Sequence, residues 1–169
     1  RGANVGVQFI DLIDIYESYL FIDGPRDKRP YTYNPDINGQ FVIRTLEAND
    51  SKTEADYAMM HFSLLTDEPF LDKEVFIYGA FNDFNITNEN KMQYDAKEKS
   101  YKVNILLKQG FYNYTFVTKS WDTIISESEI RGNFSETENM YTVIVYHKAF
   151  GALFDRVIGV GTIQFEGER

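Results

Sequence analysis

The sequence has no cysteine, and only four prolines, two histidines and one tryptophan in 169 residues. The missing cysteine excludes a disulfide scaffold, thiolate metal sites and a cysteine nucleophile. It leaves the compartment open. No apolar run approaches the roughly 20 residues that a membrane-spanning helix needs, and no signal-peptide pattern is visible. The chain starts Arg1-Gly2-Ala3 rather than with Met, as expected of a piece of a longer protein. Positive charge is also scarce. Lys and Arg number 17 against 26 Asp and Glu, a formal net charge of -9. Nucleic acid phosphates and anionic membrane surfaces would repel such a chain. The acids are dispersed, which is the pattern of a solvated surface.

What is present points to β structure. Hydrophobic residues make up 43% and charged residues 25%, enough for a packed core. Aromatics reach 16%, with 12 Tyr and 14 Phe, and such rings suit pleated surfaces. The chain reads best around Glu74–Phe84, an alternating aromatic strand that breaks at Gly79 and enters the turn-forming pair Asn82-Asp83. A second aromatic strand, Gly110–Phe116, answers it. Further strands are expected over Glu17–Asp23, Tyr57–Leu65, Met92–Tyr94, Tyr101–Leu107, Met140–Tyr146 and Arg156–Phe165, while Val5–Asp14 reads equally as a strand, an edge strand or a fraying leader. Asn38-Gly39 predicts a hairpin turn joining Tyr31–Tyr33 to Gln40–Arg44, with Pro35 marking an edge. Ser120–Glu136 reads as a long polar loop. No stretch keeps a helical period. The expected architecture is all-β. An immunoglobulin-like sandwich of the early-set kind fills residues 69–169, and a smaller β-strand region, the end of a preceding domain, fills residues 1–68.

The motifs that could carry chemistry are weak. His61 and His147 fall in separate expected strands, and neither has the neighbouring nucleophile and acid that a triad needs. No spacing singles out a pair of carboxylates for glycoside hydrolysis. Asn34–Gly39 imitates the start of a calcium loop, but Thr45 stands where the bidentate acid belongs. Gly159-Val160-Gly161 lacks the third glycine of a dinucleotide fingerprint and reads as a bulge or a close backbone approach. Three Asn-x-Ser/Thr sequons, at Asn85, Asn113 and Asn133, are short patterns that arise by chance. No catalytic residue, metal ligand or cofactor site is expected.

Two resemblances go further. Val75–Phe84 and Gly110–Val117 resemble the hallmark strands of early-set immunoglobulin-like modules. These include the glycogen-binding domains of AMP-activated kinase and the N-terminal modules of branching enzymes. In the sugar-binding members two tryptophans form a stacking platform. Phe84 stands at the first of these positions and Trp121 near the second, so the alternative reading is a module that stacks a glucan on that pair.

A second resemblance spans most of the chain. Asp27–Tyr33, Pro35–Ile43, Leu107–Tyr114, Thr137–Tyr141 and Gly151–Gly159 are similar, in that order, to the plug proteins of the Bacteroidetes type IX secretion system. The resemblance implies a periplasmic, non-enzymatic protein that closes the periplasmic mouth of a very large outer-membrane β-barrel translocon. It does not name contact residues. Exposed Arg and aromatic side chains dominate binding hot spots. By that rule the candidate partner-binding sets are Arg26, Arg29 and Tyr31, and Phe150, Phe154 and Arg156.

Overall fold

The computed structural model describes residues 7–12, 15–32, 36–45 and 50–165. The chain is almost entirely β, as expected. Its contacts divide it into two units, residues 1–133 and 134–169.

The first unit is a two-sheet sandwich. One sheet has five strands in the order β1 (Val7–Leu12), β2 (Ile15–Leu20), β4 (Tyr57–Leu65), β7 (Ser100–Lys108) and β6 (Gln93–Asp95). All neighbours are antiparallel except β2 and β4. The other sheet joins β5 (Lys73–Tyr78) to β9 (Thr115–Ser120) and β9 to β10 (Ile125–Ser126). A two-stranded ladder pairs β3 (Phe41–Ile43) with β8 (Gly110–Tyr112).

Period-two alternation explains which side chains meet. In β4, Phe62 and Leu64 point inward while His61 and Ser63 are only partly covered. Leu64, Val75, Ile77 and Val117 are fully buried. Phe62, Tyr101, Tyr114, Phe116, Met92 and Ile130 complete the cluster between the sheets. Burying each large aliphatic here contributes about 1.5–3 kcal/mol relative to exposure. Phe62 meets Tyr114 edge-on at 5.0 Å, and Tyr114 meets Phe116 edge-on at 5.7 Å.

Residue 79, just past β5, is glycine for a steric reason. A Cβ there would fall 2.7 Å from the Phe81 ring and 2.8 Å from the Asn113 carbonyl oxygen. The chain then makes one 3-10 turn, Ala80–Asn82, and Asp83 and Phe84 both adopt left-handed φ. The Asn82 side chain locks this corner. Its Oδ1 accepts from Gly79 N–H at 3.2 Å, and its Nδ2 donates to the Ile77 carbonyl at 3.2 Å.

Several sequence expectations are corrected. The division does not fall near residue 68, because β4 and β7, from either side of it, share a nine-pair ladder. Asn38 and Gly39 do form a tight turn, with φ of 55° and 78°. Yet Phe41–Ile43 pairs with the distant β8, not with Tyr31–Thr32, which are not in a strand. Tyr33 and Pro35 lie outside the described residues. Gly110–Phe116 is two strands, β8 and β9, separated at Asn113-Tyr114. The supposed loop 120–136 holds β10 and one helical turn, α2 (Ser128–Arg131), anchored by buried Ile130. A four-residue helix, α1 (Ser51–Glu54), precedes β4.

The second unit is a long antiparallel hairpin of β11 (Asn139–His147) and β12 (Arg156–Phe165). The sequence placed these strands in the sandwich. Among the described residues they pair with each other and with no other strand. The register slips once, between Val145 and Tyr146, leaving Ile158 as the extra residue of a bulge beside Gly159.

Candidate interaction surface

The hairpin exposes apolar side chains along its whole length. Every residue of β11 is exposed, including Met140, Tyr141, Val143, Ile144, Val145 and Tyr146. On β12, Val157, Ile158, Val160, Ile163 and Phe165 are exposed too. Asn139–Tyr146 and Val157–Phe165 contain no Asp, Glu, Lys or Arg. Soluble proteins usually guard unpaired strand edges with charge or proline, and a lone two-stranded ribbon is marginal in water. Contiguous uncharged apolar surface of this length is uncommon on soluble proteins.

The ribbon's turn carries the second predicted set. Gly151, at a left-handed φ of 78°, and a hydrogen bond from Ala152 N–H to the Ala149 carbonyl at 2.9 Å make the turn. Phe150 is 110% exposed and Phe154 61%. The Arg156 guanidinium lies over the Phe154 ring, 5.6 Å from its centroid. The structure therefore brings Phe154 and Arg156 together. Leu153, 95% exposed, belongs to the same tip and escaped the sequence reading. A leucine within an apolar run carries no mark of exposure in sequence alone.

The first predicted set is less available. Arg29 is exposed, but Arg26 and Tyr31 are half-buried and neither is free. Arg26 N–H donates to the Ile130 carbonyl at 2.7 Å. Arg26 also lines a small cavity with Asp23, Tyr114 and Ile130.

The carbohydrate pair is not assembled as a platform. Antiparallel pairing sets Tyr78 opposite Thr115 at one end of the β5–β9 ladder and Lys73 opposite Ser120 at the other. Phe84 packs edge-on against Tyr78, 5.3 Å away, while Trp121 follows Ser120. These strand ends are about 17 Å apart at the usual rise per residue. Trp121 is 79% exposed and Phe84 45%, so each stands on the surface at its own end.

His61 stacks on Tyr19 with ring centroids 4.1 Å apart and planes 4° from parallel. Its Nε2 lies 3.5 Å from Glu17 Oε2. The pair borders a broad depression of about 1170 Å³ that also includes Gln93, Lys102 and Asn104. Charges at its rim pair among themselves, Lys102 with Asp95 at 3.1 Å and with Glu98 at 2.7 Å. His147 ends β11 opposite Arg156. In the described part of the calcium-like stretch, Asp36 Oδ1 accepts from Asn38 N–H at 2.7 Å within a turn. Among the described residues, no three His, Asp or Glu side chains gather as metal ligands. No described helix is long and apolar enough to cross a membrane.

The chain is similar to a solved protein from Parabacteroides merdae. That protein is described as hypothetical, and the two share 36% sequence identity at a TM-score of 0.86. The match covers 94% of this chain and 40% of the other, so this chain spans well under half of that protein's length. No protein-family model and no curated protein matches the chain.

Proposed function

We propose that the chain is a non-enzymatic protein-interaction module of the periplasm. It is part of the plug that occludes the periplasmic mouth of the type IX secretion translocon. The reading rests on the ordered motifs shared with the plug proteins. A similar fold in a Bacteroidetes species is consistent with it. The observation that carries the interaction role is the hairpin tip. Phe150, Leu153 and Phe154 project with Arg156 beside them, aromatic and arginine groups of the kind that anchor interfaces. The mechanism is steric, with no covalent step and no cofactor. A folded body blocks the opening, and the tip holds it against the barrel protein.

The test is affinity recovery from a Bacteroidetes envelope extract with a tagged full-length protein. A large outer-membrane barrel protein should be recovered, and Phe150→Ser with Phe154→Ser should reduce its yield at unchanged thermal stability. Recovery of no barrel protein, or full recovery by the double variant, overturns the reading. On the glucan alternative Phe84 and Trp121 would each meet the sugar at its own end of the β5–β9 ladder.

A further inference from the structure

One face of the hairpin has a shape that the chain itself does not explain. The register pairs Tyr141 with Ile163, Val143 with Gly161 and Val145 with Gly159. Alternation puts these six residues on the same face. β11 therefore presents a row of branched side chains while β12 presents two bare positions at the same levels. Glycine inside a strand weakens it and marks a bulge or a close approach by another backbone. Gly159 adjoins the bulge. Gly161 does not, its φ is not in the positive range, and a Cβ built on it would meet nothing within 4 Å. Among the described residues nothing requires glycine there.

We propose that this face is a self-complementary seam that pairs with the same face of a second copy. Consider a two-fold axis parallel to the strands and midway between two such faces. It lays β11 of one copy over β12 of the other and keeps every residue at its own level. Val143 then enters the hollow at Gly161, Val145 the hollow at Gly159, and Tyr141 covers Ile163. Each contact occurs twice, which is the isologous arrangement of a two-fold dimer. Packed sheets normally stand about 10 Å apart, and the glycines let these two come closer.

Charge agrees with this occupant. The chain carries -9 overall, yet Asn139–Tyr146 and Val157–Phe165 hold no Asp, Glu, Lys or Arg, so a seam over Tyr141–Val145 and Gly159–Ile163 buries no charge and no like-charge contact. Area agrees as well. Tyr141 and Phe165 are large aromatic side chains that keep 55% and 46% of their surface exposed in the hairpin. With Val143, Val145 and Ile163, and both copies counted, the joint buries on the order of 1,000 Å², where specific interfaces begin. The opposite face is less suited, since Thr142, Thr162 and Gln164 interrupt it.

The proposal is independent of the plug reading, and its test needs no translocon. Sedimentation velocity of this chain over a range of concentrations should show a reversible monomer–dimer equilibrium. Gly161→Val fills the hollow without a clash inside the hairpin and raises strand propensity. It should weaken dimerisation about tenfold or more through overpacking of the seam. Amide exchange of β11 should show the monomeric hairpin of this variant intact. Val143→Asp, which places a charge in the seam, should also abolish the dimer, and Thr162→Val on the other face should leave it unchanged. A wild-type chain that stays monomeric throughout overturns the proposal. So does a dimer that tolerates Gly161→Val, or one that Thr162→Val disrupts equally.

Discussion

Asn113 clamps the turn at Gly39 from 74 positions away in sequence. Its Oδ1 accepts from Gly39 N–H at 3.1 Å and from Ile37 N–H at 3.0 Å. Its own N–H donates to the Gln40 carbonyl at 3.0 Å. This buried side chain explains why the aromatic run 110–116 breaks into β8 and β9. The residue at the break turns away from a ladder to hold β3 in register with β8. Asn113→Ala removes an acceptor shared by two N–H groups. It should cost about 1–3 kcal/mol, read as a lower urea midpoint with an unchanged slope. A midpoint equal to wild type would show that the clamp carries no energy.

Glu129 links the one-turn helix α2 to the smaller sheet. Lys73 Nζ and the Thr118 hydroxyl both donate to its carboxylate. Burial alone would raise its pKa, but the hydrogen bonds from Lys73 and Thr118 outweigh burial and lower it from the ordinary 4.5. A depressed pKa stabilises the fold above the unfolded value, and that contribution is lost as pH falls through the folded value. Wild-type melting temperature should therefore drop as pH falls below about 4.5. Glu129→Gln should be less stable at neutral pH and should show a shallower acid loss. Parallel pH profiles for the two proteins would refute the assignment.

Tyr112 governs the alkaline side. Burial and the neighbouring Tyr57 push its hydroxyl up from 10.0 to about 12. The hydroxyl donates to the Lys108 carbonyl at 2.6 Å. A raised folded pKa contributes stability below the unfolded value that is lost as pH rises through the folded value. Stability should fall between pH 10.0 and about 12. Tyr112→Phe should flatten that fall, as followed by thermal melts. An ultraviolet titration in which every tyrosine ionises near the ordinary value would contradict it.

Ile77, in β5, is fully buried between the sheets. Ile77→Ala should cost about 2–5 kcal/mol. Trp121→Ala, at a surface position, should change stability by less than about 0.5 kcal/mol. Chemical denaturation of the two variants separates these outcomes. Comparable losses would mean that Trp121 is packed rather than exposed.

Much of the architecture was legible because alternation is local. In Tyr57–Leu65 and Tyr101–Leu107 the inward residues can be read two apart, and the structure buries Phe62, Leu64 and Tyr101 accordingly. The Asn38-Gly39 turn was equally legible, since its backbone conformation depends on those two residues. The partner of Phe41–Ile43 was not. A strand of three residues has no pattern that distinguishes a neighbour across a turn from one about seventy residues on. Phe150, Phe154 and Arg156 were found by residue type, and Leu153 was missed because exposure is not a property of leucine.

Taken by itself, the sequence determined that the protein is a cysteine-free, acidic and almost entirely β chain. These are consequences of composition and of a period of two, which each segment carries within itself. Tertiary structure alone decided that Met140–Tyr146 and Arg156–Phe165 leave the sandwich to form their own ribbon. It also decided that Phe84 and Trp121 leave opposite ends of one ladder. The physical reason is the same in both cases. Which strand pairs with which, and in which direction, depends on contacts between distant segments, and no single segment encodes its partner.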